Sequence, residues 1–448
     1  MWQNFFQRII DVDVPNKRVK KNKVTTSIAL KPTLRQNHQI QKSIKLCVIT
    51  QFYPPDYAAT GQLIEELVRN LGRYGVDIDV FTGQPGYAFK TAKAPSVERY
   101  YQVKIKRSRS TQIWSNRIRG KALNGVLFTL RAAIHILRIW RDRNVLLVTT
   151  APPFLPILGY FTHLLFRIPY VCLLYDLYPD IAIALGVVAK DHWVVKCWRF
   201  INKQVWRSAK KIVVLSPSMK QQVIENCPEV ADKISVIHSW ANPNLITPIS
   251  KKNNWFAQKY NLVNKFTVLY SGNMGRCHDI DTILDTAKEL QNEPIQFVCV
   301  GGGAKRQELI EEVNRLGLEK NFVFIPYQEK KNLPYSLTAC DLSLVSVNAG
   351  FEHLVAPSKL YSALAAGRPI AVISPEHSYL KQLIAKAKCG STFNNKNSYA
   401  LAKFIRKLNN EQQLVDSMGK AGRKYFQSNF TLDVISKEYL EVIYQAIL

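Results

Sequence analysis

From residue 45 onward the chain alternates two kinds of segment. Short apolar runs such as LCVIT (46–50), VLLVT (145–149), YVCLLY (170–175) and FVCV (297–300) each lead into a loop, and then into a stretch of helical period. Runs of this length without polar alternation read as strands buried on both faces, which requires helices above and below a parallel sheet. The alternation therefore predicts a doubly wound, Rossmann-like α/β fold.

The first unit sets the pattern. A strand over 45–50 leads into the loop QFYPPDYAATGQ. A helix over 62–74 follows, with Leu63, Leu67 and Leu71 facing inward and Gly75 as its stop, and then a strand over 76–82. Further strands are predicted over 101–107, 145–149, 170–175, 211–215 and 234–237. A helix over 122–141 carries Val126, Leu130, Ala133, Leu137 and Trp140 on one side. Arg131, Arg138 and Arg141 lie close by, a pattern open to a basic membrane-facing surface. The Pro/Asn-rich HSWANPNLITP marks a linker. A second series then repeats the logic, with strands over 266–270, 297–300, 322–326, 342–347 and 371–373.

At 448 residues the chain exceeds one ordinary core. The expected organisation is an extension over 1–43, an N-terminal domain over 44–240, a C-terminal domain over 241–430, and a C-terminal helix over 431–448. That helix has no slot in the second sheet and is expected to cross the domain boundary. Residues 145–166 contain no Lys, Arg, Asp or Glu, but Pro152, Pro153 and Pro156 divide them into strand, loop and helix, against a membrane span.

Open parallel sheets bind ligands at the carboxyl ends of their strands. Five places fall there: Gly61 at the start of the first helix, Asp176 in DLYPD, Gly272–Gly275, Gly301–Gly303, and Ser358-Lys359 at the start of a helix. A helix N-terminus with a lysine beside it favours an anion such as phosphate. Ser218 has no G-x-S-x-G around it and is not read as a nucleophile.

The formal charge of +28 divides as +7 over 1–43, +14 over 44–240 and +7 over 241–448. Such a field suits an anionic partner. The basic residues are diffuse, without the aromatic-lined groove of a nucleic-acid binder, so no nucleic acid is expected. Trp2, Phe5, Phe6, Ile9 and Ile10 recur at helical spacing ahead of a basic run, which fits an anchor on an anionic membrane surface. The eight cysteines show neither C-x-x-C nor zinc spacing, and the N-terminus lacks a secretory signal. A reduced, cytoplasmic protein, peripheral on the inner membrane face, without metal or cofactor, is the expectation.

Five segments carry a resemblance: FYPPDYAATGQ, YDLYPDIA, YSGNMG, FVCVGGG and APSKLYSALAAGRPI. Together they resemble the family 4 (group 1) glycosyltransferases, in the branch of the N-acetylfucosaminyl- and colanic-acid-type enzymes of bacterial surface polysaccharide synthesis. The resemblance implies a GT-B architecture, two facing Rossmann-like domains with a nucleotide-sugar cleft between them. It also implies retaining transfer of a hexose from a nucleoside diphosphate sugar to a lipid-linked or polysaccharide acceptor, without a metal. By the same resemblance Gly61 borders the donor diphosphate, and Ser358, Lys359 and Leu360 hold diphosphate and ribose. Gly272, Asn273, Gly275 and Arg276 form a phosphate-side loop joined by Gly301 and Gly302, and Tyr327 and Gln328 lie beside the nucleobase. Asp176, Arg276 and Lys359 are the expected catalytic groups.

Two departures stand out. Many members of that family carry paired acids eight residues apart. Here Leu354 and Ser362 occupy those places, with Glu352 nearby but out of register. The lysine common in the Gly272 loop is also missing; His278 falls near its place, and Arg276 is the expected substitute. Either the donor sugar is contacted differently or activity is weakened. Two other readings stand beside transfer: a sugar-nucleotide epimerase of the same architecture, and a non-catalytic anion- or nucleic-acid-binding protein.

Overall fold

A computed structural model describes residues 44–56, 58–85, 94–109 and 118–448. The amphipathic segment read at Trp2–Ile10 and its basic run lie outside the described residues.

Two sheets organise the chain. The first has the order β3-β4-β2-β1-β5-β6-β7-β8. Its strands are β1 (Lys45–Ile49), β2 (Asp77–Thr82), β3 (Val97–Tyr100), β4 (Val103–Arg107), β5 (Val145–Thr149), β6 (Tyr170–Leu174), β7 (Lys211–Val214) and β8 (Ile234–Val236). All neighbours pair in parallel except β3, which returns antiparallel along β4. The second sheet is wholly parallel, in the order β11-β10-β9-β12-β13-β14. It comprises β9 (Phe266–Ser271), β10 (Ile295–Val300), β11 (Phe322–Ile325), β12 (Leu342–Ser346), β13 (Ile370–Ile373) and β14 (Gly390–Phe393). This is the GT-B arrangement of two Rossmann-like units.

The continuous apolar runs became the central strands, as their double burial requires. Every residue of β5, β6, β10 and β12 is buried. Helix α1 (Ala59–Arg73) begins three residues before the expected start and packs through Ile64, Leu67, Val68 and Leu71, while Leu63 is only half-buried. Gly75, at φ 93°, lies just past its end.

Helix α2 (Ile118–Ile139) departs from its sequence reading. Its core-facing residues are Phe128, Ala132 and Ile136, whereas Val126, Leu130 and Leu137 point to solvent. Inside, its His135 Nε2 lies 2.7 Å from Asp79 Oδ1 on β2, with both side chains buried. The stretch over 145–166 forms β5, a loop and helix α3 (Pro156–Phe166), not a span. Helix α4 (Trp193–Ser208) packs beside α3.

In the second unit, helix α5 (Asp281–Glu289) follows β9 and helix α6 (Lys359–Ala366) follows β12. The last helix, α7 (Leu432–Ile447), returns to the first unit. Its Asp433 accepts from Asn70 on α1 at 3.1 Å, and its fully buried Tyr439 meets Trp240 edge-on. A β-bridge between Ala241 and Thr431 places the outgoing and returning chains side by side.

Candidate active site

The expected loops meet at the strand ends of the second sheet, and Lys359 lies at their centre. It opens α6, so its backbone sits in the first helical turn. Its side chain reaches back to the end of β9. Nζ donates to the Tyr270 hydroxyl at 2.9 Å and to the Asn273 carbonyl at 3.3 Å, and lies 3.2 Å from His278 Nε2. It also sits 4.6 Å from the centre of the Tyr270 ring. These partners are neutral, and no ion pair to Lys359 occurs among the described residues. Burial pushes the lysine down to about 7.

His278 explains part of this geometry. It is buried, and its Nδ1 lies 2.7 Å from the Ser346 carbonyl. A carbonyl can only accept, so Nδ1 carries the proton and Nε2 offers a lone pair to Lys359. Burial, then the nearby Lys359 charge, push His278 down to about 3, which keeps it neutral. The sequence placed His278 near a customary lysine. What it could not show was that this ring turns inward to hold Lys359.

Glycines let the backbones approach. Gly301 has φ 127°, and a Cβ there would sit 2.2 Å from the Gly272 carbonyl oxygen. At this point the two loops touch glycine backbone to glycine backbone, and the Met274 N–H donates to the Gly302 carbonyl at 2.7 Å beside it. Gly272 receives its bond from β10, with N–H donating to the Val300 carbonyl at 2.8 Å. Gly275 packs against the Asn273 amide, and Gly302 against the Tyr327 ring. Tyr327 and Gln328 follow β11 at the sheet edge, with Tyr327 Oη 3.5 Å from the Gly302 carbonyl and Gln328 Nε2 donating to the Pro326 carbonyl at 2.9 Å.

Other expected residues take different positions. Ser358 stands at the N-cap of α6 without a side-chain capping bond, which leaves its hydroxyl unused by the helix. The Leu360 side chain is fully buried, and its N–H donates to the Pro357 carbonyl, so it serves packing in α6. Gly61 lies in the first turn of α1, where a Cβ would fall 2.9 Å from the backbone of Phe52 and Tyr53. Close packing of helix on loop is enough to require that glycine. Arg276 is exposed, and its carbonyl accepts from Asn348 Nδ2 at 3.2 Å.

Asp176 comes from the other sheet. It follows β6, and its N–H and that of Tyr175 donate to Thr150 Oγ1 at 3.4 and 3.1 Å. Burial raises its carboxyl to about 6. Cys277 locates it relative to the second sheet. That thiol is raised by burial, and it feels the charges of Lys359, Asp176 and Lys305 together. Asp176, following a strand of the first sheet, and Lys359 and Lys305, of the second, are therefore all near enough to bear on the Cys277 thiol.

A second buried carboxylate is Glu352. Glu352 lies in the loop that runs from β12 into α6. It accepts from the Gly350 N–H at 2.7 Å and from His377 Nε2 at 2.8 Å, and His353 Nε2 lies 3.3 Å away. Burial would raise its carboxyl. Hydrogen bonds from its own backbone, His377 and Gly350 outweigh that and hold it below the usual range. Ser362, in the customary place of an acid, is half-buried on α6.

Two family models match this chain. Glycosyltransferase Family 4 covers residues 60–245, and Glycosyl transferases group 1 covers residues 251–425. The chain belongs to the group 1, family 4 glycosyltransferases. Among relatives of this glycosyltransferase is the probable glycosyltransferase WbjE of Pseudomonas aeruginosa. It is 24% identical over 397 residues, spanning 86% of this chain and 94% of that one. The putative colanic acid biosynthesis glycosyl transferase WcaI of Escherichia coli K12 is 34% identical over 120 residues, 27% of this chain and 29% of that one. Sucrose-phosphate synthase of Thermosynechococcus elongatus shares the fold with a TM-score of 0.72 at 16% identity, covering 89% of this chain and 98% of that one. HepE of Anabaena, solved in complex with UDP, shares it with a TM-score of 0.66 at 14% identity, covering 89% and 99%.

Proposed function

We propose that this glycosyltransferase moves a hexose from a nucleoside diphosphate sugar to a lipid-linked sugar or polysaccharide acceptor, with retention and without a metal at the diphosphate. The observation that carries the reading is Lys359 at the head of α6, held by the Tyr270 hydroxyl, the Asn273 carbonyl and His278, with Asp176 and Lys305 near enough to bear on the neighbouring Cys277. Cleaving the sugar–phosphate bond leaves negative charge on the diphosphate. A lysine held by neutral acceptors has no carboxylate to cancel its charge once the diphosphate favours its protonated form, and the first turn of α6 adds its dipole. Positive charge developing on the sugar ring is stabilised by a carboxylate such as Asp176. Fixed cations of this kind can do electrostatically what a magnesium ion does elsewhere. HepE was solved with UDP and with UDP-glucose, which supports a uridine nucleotide as the first donor to try.

The proposed setting is the cytoplasmic face of a membrane. The +14 charge of residues 44–240 and eight unpaired cysteines support it. The test is incubation with labelled nucleotide sugars and a membrane lipid extract in the presence of EDTA. Label entering the lipid fraction with equal release of nucleoside diphosphate, and an unchanged anomeric configuration by NMR, is the expected result. No turnover of any nucleotide sugar would overturn transfer. Loss of turnover restored by magnesium would overturn metal independence.

A further inference from the structure

Helix α2 is apolar on two opposite faces. One carries Phe128, Ala132 and Ile136 into the core. The other carries Leu123, Val126, Leu130, Ile134 and Leu137, all exposed, with Leu130 and Leu137 at 57% and 55%. At 100° per residue these five fall within an arc of roughly 80°. The neighbouring helix α3 repeats the feature, with Phe161, Leu164 and Leu165 exposed on adjacent turns.

The two helices lie side by side and run the same way. At one end Gly125 abuts Pro152 and Phe154, just before α3, and at the other Trp140 stacks on Phe166 at 4.6 Å. Helix α4, packed beside α3, adds exposed Trp193 and Phe200. A soluble surface rarely shows so many large apolar side chains in one region. Its charge is equally one-sided, with seven Lys/Arg and one acid between residues 118 and 170. Arg138, Arg141 and Arg167 are exposed beside the apolar arcs.

We infer that the exposed faces of α2 and α3 form a docking surface for an anionic lipid bilayer. The inference rests on the lipid-linked acceptor proposed above. Apolar side chains entering the acyl boundary with arginines at headgroup level are what an interfacial helix requires. By length and composition 123–142 could also cross a membrane, the one helix among the described residues that could. Its inner face forbids this. Drawing α2 into a bilayer would strand buried Asp79 without His135 and strip Phe128 from Phe81.

The position of the surface fits delivery of an acceptor. Pro152 and Phe154, against Gly125, belong to the same loop as Thr150, whose hydroxyl holds the backbone of Asp176. One loop thus joins the apolar surface to the proposed reaction centre. A lipid tail in the bilayer would leave its sugar head close to Asp176.

The test uses the full chain and vesicles of phosphatidylcholine with and without phosphatidylglycerol. Wild type is expected to sediment with the anionic vesicles, less so as salt rises. The double substitution Leu130→Glu/Leu137→Glu should weaken that binding by about tenfold or more. It should leave the circular dichroism spectrum and hydrolysis of UDP-sugar in solution unchanged, while transfer to lipid extract falls. Arg138→Gln/Arg141→Gln is the milder second variant, expected to lose the preference for anionic vesicles. Unchanged sedimentation of the leucine variant would overturn the inference. So would a wild-type dimer abolished by the same substitutions, since a second copy would then cover the face. Failure of the transfer reading looks different: wild type turns over no nucleotide sugar, whatever the vesicles show.

Discussion

At the scale of single residues, the site is governed by ionisable groups away from their ordinary range. Lys359 is lowered to about 7, so above that pH the ligand-free enzyme holds it mainly neutral. An anionic diphosphate favours the charged form, so donor binding takes up a proton and weakens as pH rises through 7 and beyond. Asp176 is raised to about 6, so its carboxylate is lost as pH falls through 6. The expected profile of kcat/KM is a bell with limbs near those two values. Initial rates across pH would show it; a flat basic side would contradict the lysine's part. In the sequence, Lys359 was legible because a helix start and a strand end framed it. The inward turn of His278 was not, because a side chain's facing within a loop depends on a carbonyl, Ser346, contributed by a distant strand.

Among elements, burial on both faces made the central strands legible, and edges hid the rest. The strand β3, VERY, alternates exposed and half-buried positions and joins β4 through Tyr101 at φ 49°. The strand β14, GSTF, is half-buried throughout. Neither has the apolar run that announces a central strand. The facing of α2 was also hidden, since a helix apolar on two sides gives a pattern that either side could satisfy. The loop contact at Gly301 is an element-scale constraint. Gly301→Ala would place a Cβ against the Gly272 carbonyl in a backbone region that side chains rarely adopt. It is expected to cost about 2 kcal/mol or more in stability and to raise the donor KM. Thermal denaturation and donor titration would check both, and a neutral outcome would mean that the two loops move apart freely.

For the whole molecule, the returning helix is what makes the two units interdependent. α7 lies in the second half of the sequence but packs through Ile435, Tyr439, Val442 and Ile443 in the core of the first unit. Its crossing could be anticipated because the second sheet offered it no slot. Its partners could not, since they lie far back in the chain, as Asn70 does, 363 residues before Asp433. Tyr439→Ala is expected to destabilise the protein by about 3–5 kcal/mol, with the first unit unfolding at lower temperature. Calorimetry would show this, and an unchanged first transition would contradict it.

The same crossing ties the unit that carries Asp176 to the unit that carries Lys359, and the proposed reaction needs both groups at one centre. Its most direct test compares Asp176→Asn with Lys359→Ala in donor affinity and turnover. Asp176→Asn is expected to bind UDP-glucose within about twofold of wild type while turnover falls ~100-fold or more. Lys359→Ala is expected to lose both affinity and turnover. Wild-type turnover by Asp176→Asn would contradict a reaction centre built from the two sheets.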